Sequence, residues 1–210
     1  MKLMLVGASG LVGQQVLRQA LAHPAVSALV APTRKPLAPA SGLDNPLVDF
    51  EHLPAQAPWW KVDAVICTLG TTMAQAGSEA AFRRVDHDYA LAVARLARSA
   101  GAGSFVLNSA LGAAAGSRVF YNRVKGEVEA AIASLGYPSL TLVRPSLLDG
   151  GPRPDSRPGE RIALGFAKIL RPLIPARYRA VATEAVARVL LAAALAPLPG
   201  VHVIESERIA

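Results

Sequence analysis

Tyr121 and Lys125 stand four residues apart in a stretch with helical patterning, so both side chains project from one face. Ser109 lies at the end of an apolar, strand-like run upstream of them. A phenol with its ordinary pKa of about 10 is a poor acid–base catalyst at neutral pH, and a nearby ammonium favours the phenolate. A hydroxyl can hold a carbonyl oxygen while the phenol delivers a proton and a nicotinamide delivers hydride. Ser109, Tyr121 and Lys125 are therefore the candidate catalytic residues of a carbonyl–alcohol interconversion. Tyr-x-x-x-Lys by itself is common on helix surfaces, and a surface pair with Ser109 capping a turn is the plain alternative. The weight comes from what else the chain carries.

Gly7-Ala8-Ser9-Gly10-Leu11-Val12-Gly13 follows the first apolar strand and opens the first helical stretch. Glycines there permit a tight turn and close approach of backbone to a pyrophosphate, and the helix start offers unpaired N–H groups to the anion. The spacing is G-x-x-G-x-x-G, and the strand–turn–helix context makes it a dinucleotide signature. An NAD site usually carries an acid at the end of the second strand. Here the chain reads Thr33-Arg34-Lys35, two cations suited to a 2′-phosphate, which favours NADP over NAD. Asp49 and Phe50 are placed to flank the adenine, or else simply end a strand.

These residues need a scaffold, and the pattern supplies one. Apolar strands are expected at residues 3–6, 26–31, 47–49, 64–67, 105–108, 140–144 and 201–204, and helices at 11–22, 79–100, 120–135 and 183–195, the last capped by Thr183. Alternating β and α with apolar strands implies an α/β fold, a doubly wound parallel sheet of the NAD(P)-binding Rossmann type. A length of 210 residues suits one domain spanning 1–210, with 150–182 as a small substrate loop or cap. Arg153, Arg157 and Arg161 in that loop would meet an anionic substrate, or else are solvated charge.

Composition narrows the classes. A hydrophobic fraction of 52% against 18% charged excludes a disordered chain. The formal charge of +7 arises from 22 basic and 15 acidic residues, and the basic ones are dispersed rather than gathered into a nucleic-acid arm. The single cysteine, Cys67, excludes a disulfide framework, and His23, His52, His87 and His202 show no metal-ligand spacing. Neither G-x-S-x-G nor G-K-[ST] is present, against a hydrolase elbow and a P-loop. The N-terminal apolar run is short for a signal peptide and residues 189–198 are short for a membrane span, so a cytoplasmic protein is expected. Trp59-Trp60 is expected to pack the sheet edge.

Taken together, Gly7–Gly13, Ser109, Tyr121-x-x-x-Lys125 and Arg144-Pro145 resemble the short-chain dehydrogenase/reductase superfamily in its atypical, extended branch. Cys67-Thr68-Leu69-Gly70-Thr71-Thr72, Arg84-Val85-Asp86-His87-Asp88-Tyr89, Val124-Lys125-Gly126-Glu127-Val128-Glu129 and Ser156-Arg157-Pro158-Gly159-Glu160 are similar to the Tat-interacting-protein-like oxidoreductase group. The resemblance implies bound NADP, with Leu69, Gly70 and Thr71 along it, Arg144, Pro145 and Ser146 near the nicotinamide, and Lys125 also touching the ribose. Asp86 stands where extended members often carry Asn. The group includes cofactor-binding regulators, so a regulator with a protein partner is the second reading and an epimerase or dehydratase the third. A small-molecule substrate is expected, with no nucleic acid or membrane partner, and a homodimer is compatible with the chain.

Overall fold

The computed structural model describes residues 1–149 and 175–209. Its strands are β1 (Lys2–Val6), β2 (Ala28–Val30), β3 (Leu43–Asp44), β4 (Ala64–Cys67), β5 (Ser104–Asn108), β6 (Ser139–Arg144), the short pair β7 (Leu148–Asp149) and β8 (Val181–Ala182), and β9 (Gly200–Glu205). Seven of them form one sheet in the order β3-β2-β1-β4-β5-β6-β9, and every pairing in it is parallel. β4 is buried at all four positions and β1 and β5 at four of five, which is why they read as unbroken apolar runs rather than alternating ones.

Successive side chains of each strand serve opposite layers. Leu3, Leu5, Leu29, Ile66 and Val106 pack against α1 (Leu11–Leu21) and α6 (Thr183–Leu195), through Val12, Val16, Val186, Leu190 and Leu191. Met4, Val65, Phe105 and Leu107 pack on the other face against α4 (Ala90–Ser99) and α5 (Phe120–Ala133), through Leu91, Val93, Val128 and Ile132. This is the doubly wound sheet that the β–α alternation implied. The order reverses between β1 and β4, and ligands of open α/β sheets collect beyond the carboxyl ends of strands at such a point.

Three expectations are corrected. The third strand is residues 43–44, not 47–49: Leu47 makes only an isolated bridge to Thr33. Pro46 has no N–H to continue the ladder; its carbonyl accepts from Thr33 N at 3.1 Å. The long helix is divided into α3 (Glu79–Arg83), a π turn at Arg84–Tyr89, and α4, a widening that turns Asp86 inward beneath the cleft. Thr183 is the first residue of α6 rather than its cap; Ala182 occupies the cap position. The short helix α2 (Met73–Ala76), capped by Thr72, and the β7–β8 pair are too brief to show in a periodicity.

Trp60 is buried, its indole N–H donating to Pro54 O at 2.8 Å, with Trp59 against it. No helix among the described residues is long and apolar enough to cross a membrane.

Candidate active site

The turn after β1 is held closed by the chain crossing beside it. Gly7 has φ +89°, and a Cβ there would sit 2.7 Å from Thr68 backbone; a Cβ on Gly13 would come within 2.0 Å of Gly7 O. These two positions admit only glycine. Gly10 caps α1 in extended conformation without a side-chain partner for the helix's first N–H groups, and no acid lies in that first turn. Open donors and the positive end of the helix dipole suit a phosphate.

That helix start forms one end of a cleft of about 1080 Å³, slightly larger than the 300–1,000 Å³ usual for small-molecule sites. Ser9, Gly10, Leu11 and Val12 line it after β1, Leu69, Gly70 and Thr71 after β4, Ser109 after β5, and Pro145 and Ser146 after β6; Tyr121 and Lys125 enter from α5. The structure thus brings together twelve of the residues singled out above, all at the carboxyl edge of the sheet. Gly7, Ala8 and Gly13 are not in its wall and form the support beneath.

Lys125 is buried, and its Nζ lies 2.8 Å from Asp86 Oδ1. Asp86 Oδ2 accepts from Thr71 N at 2.8 Å, so one carboxylate ties the lysine to the Leu69–Thr71 strip. Burial pushes the Lys125 pKa down, but the charge of Asp86 and then the Tyr121 oxygen more than offset it, and the net direction is up. The ammonium therefore stays charged beneath the phenol. A Cβ on Gly70 would stand 3.4 Å from Asp86 Oδ1, so the strip passes directly over this pair. Tyr121 is part-exposed at the cleft mouth, its ring 5.6 Å from that of Phe82.

Ser109 is buried in the cleft wall, and its Oγ donates to Glu129 Oε1 at 2.5 Å. Arg144 seats on the same carboxylate through Nε at 3.0 Å and Nη2 at 2.6 Å, and its Nη1 donates to Glu205 Oε1 at 3.0 Å. These hydrogen bonds to Glu129 hold the guanidinium charged. Arg144 is thus turned to the carboxylates behind the wall and does not line the cleft, whereas Pro145 and Ser146 do. The hydroxyl of Ser146 donates to Arg179 O. Asn108 is part-buried in the wall, and its Oδ1 has no hydrogen-bond partner among the described residues.

Other singled-out residues lie off the cleft wall. Thr33 is buried, donating to Lys35 O at 2.7 Å and accepting from Asn45 Nδ2 at 2.8 Å, which fixes the loop after β2. Arg34 and Lys35 project from that loop into solvent. Asp49 is occupied by exposed His52 at 2.9 Å, and Phe50 is buried against Tyr89 with ring centroids 5.6 Å apart. Arg153, Arg157 and Arg161, and positions 150–174 of the expected substrate loop, fall outside the described residues. Cys67 ends β4 in the core, its thiol pushed up to about 11 by burial. No group of three metal-ligating side chains occurs among the described residues.

Sequence reasoning left Glu129 and Glu205 without a role and treated Asp86 only as a departure. The signal for Glu129 was available: it follows Lys125 by one helical turn on a face otherwise buried through Val124, Val128 and Ile132. An acid there needs a partner, but the partner, Arg144, lies on a different element.

No family model matches the chain. Rat (Rattus norvegicus) protein HTATIP2 is 38% identical over 167 residues, covering 77% of this chain and 68% of that protein. The Emericella nidulans protein fmp52, mitochondrial, is 35% identical over 176 residues, covering 79% of this chain and 74% of that protein. In three dimensions the chain is similar to MoeE5 in complex with UDP-glucose and NAD, with a TM-score of 0.72 at 16% identity over 100% of this chain and 79% of that one. It is also similar to a short chain dehydrogenase family protein from Francisella tularensis, with a TM-score of 0.67 at 13% identity over 99% and 98% of the two chains. The fold is that of the NAD-binding dehydrogenases and epimerases of the short-chain type. Within that fold the chain belongs to the family of HTATIP2 and Fmp52. The word mitochondrial in the name of the fungal relative differs from the cytoplasmic location expected above.

Proposed function

We propose that the protein is an NADP-dependent oxidoreductase that interconverts a carbonyl and an alcohol on a small molecule. The observation that carries the reading is the single cleft joining the start of α1, the Leu69–Thr71 strip and the Ser109–Tyr121–Lys125 group. The residues present fit a dinucleotide: the helix start would hold its pyrophosphate, Gly70 leaves room for close passage, and Lys125 would meet the ribose. When bound, the nicotinamide supplies or accepts the hydride. Tyr121 gives its proton to the carbonyl oxygen, or takes the alcohol proton in the other direction. Lys125, kept charged by Asp86, sets a positive charge near the oxygen that gives up the proton. Ser109 fixes the substrate oxygen beside the phenol.

Arg34 and Lys35, after β2 with no acid in the Thr33–Lys35 loop, support a 2′-phosphate and hence NADP. NAD in MoeE5 is the counter-indication, so the choice goes to experiment. NADPH should bind more tightly than NADH in a fluorescence titration, and Arg34→Ala should narrow the gap; equal affinity for the two would remove the NADP assignment. Reduction of an aldehyde and ketone panel should collapse in Tyr121→Phe.

A cofactor-binding regulator is the second reading. It is favoured by one feature, that Lys125 and Ser109 are both engaged by carboxylates inside the fold. Tight NADPH binding with no turnover across the panel would select it.

A further inference from the structure

A serine hydroxyl has one proton and two lone pairs, so the partner that takes the proton decides what the hydroxyl offers elsewhere. Glu129 is almost fully buried, and Arg144 occupies it from behind with two hydrogen bonds while itself bridging to Glu205. A carboxylate held bidentately by a guanidinium is an acceptor. In the 2.5 Å contact the proton therefore belongs to Ser109 and points at Glu129, away from the cleft. The face of Ser109 Oγ left to the cleft carries lone pairs.

We propose that Glu129, held by Arg144, is a positioning residue that makes Ser109 a hydrogen-bond acceptor toward the ligand, so that the resting cleft takes the alcohol member of the substrate pair in preference to the carbonyl. The inference rests on the carbonyl–alcohol reading above and adds to it the direction of first encounter. An alcohol donates to Ser109 with nothing rearranged. A carbonyl oxygen has no proton to offer and meets a lone pair. It gains a proton from Ser109 only if the hydroxyl turns off Glu129, which leaves a buried carboxylate oxygen one donor short.

The test is a binding competition on the full chain without cofactor, between 1-phenylethanol and acetophenone, which share one scaffold and differ in hydroxyl against carbonyl. Ligand-observed NMR gives the ratio of affinities. The alcohol should bind about tenfold more tightly, equivalent to about 1.4 kcal/mol. Ser109→Ala removes the acceptor while leaving the Glu129–Arg144 pair in place, and the ratio should fall to about one. Glu129→Gln offers Ser109 an amide donor, releases its proton toward the cleft and should bring the ratio to one or below. Adding Glu129→Gln to Ser109→Ala should change the ratio no further. Melting temperatures are followed alongside, because a purely structural Glu129 would lower the melting temperature and leave the ratio alone. Equal binding of the two probes, no binding of the alcohol, or a ratio that Ser109→Ala does not move overturns the proposal. None of these outcomes needs turnover: an alcohol preference in a protein that never reduces a carbonyl would fail the redox reading and leave the orientation of Ser109 standing.

Discussion

Replacing Asp86 with Asn probes the buried ion pair that holds Lys125 in the floor of the cleft. Asp86 and Lys125 have side chains 1% and 6% exposed and lie 2.8 Å apart. At an effective dielectric constant of about 20, their attraction comes to about 6 kcal/mol, part of which offsets the cost of taking both charges out of water. The amide of Asn can accept from either Lys125 or Thr71 N, but it no longer neutralises a buried ammonium. Losing one member of a buried pair typically costs about 3–5 kcal/mol, a large share of the 5–15 kcal/mol that holds a domain folded. The pH dependence distinguishes this cause from a packing defect. In the wild type the Lys125 pKa is raised above its unfolded value, so the pair contributes fully below about pH 10.4 and its contribution fades as pH passes the folded pKa. In Asp86→Asn burial is left to push that pKa down. The deficit of the variant should therefore be greatest near pH 7 and shrink as the pH approaches 10. Urea denaturation of both proteins at pH 7 and at pH 9.5 measures it. A deficit below about 1 kcal/mol, or one equal at the two pH values, would refute the account of a charged lysine held by Asp86.

Three further outcomes follow from distances and burial. Gly13→Ala would place a Cβ 2.0 Å from Gly7 O and spread the turn at the start of α1, so NADPH binding should fall by at least tenfold in a fluorescence titration. Gly126→Ala would drive a Cβ to 2.1 Å from the Ala114 carbonyl carbon, forcing the loop after Ser109 off α5; about 1–3 kcal/mol should be lost in urea denaturation. Cys67, buried and with its pKa pushed up to about 11, should react with a thiol reagent at pH 8 only as fast as the sheet opens, and at full rate in denaturant.

The glycine turn after β1, the order of β and α elements and the Tyr121–Lys125 spacing were legible in the sequence because each is a local matter. A glycine with φ +89° announces itself by residue type, and residues four apart on one helix share a face whatever else surrounds them. The boundaries that failed did so where a neighbour intervened. Pro46 broke the β2 edge pairing, and the buried Asp86 coincides with a π turn inside a continuous helical pattern.

Tertiary structure alone decided which charges meet. Asp86 and Lys125 are separated by a whole β–α unit, and Glu129, Arg144 and Glu205 come from α5, β6 and β9. Nothing in local spacing marks an acid as the partner of a base on another strand; the sheet order makes β6 the neighbour of both β5 and β9 and so gathers them behind Ser109. The sequence by itself determined that a hydroxyl, a phenol and an ammonium would share one edge of a Rossmann sheet. The packing determined where the proton on that hydroxyl points, because a hydroxyl in low dielectric takes the strongest acceptor within reach, and here that acceptor is a carboxylate held in place by an arginine.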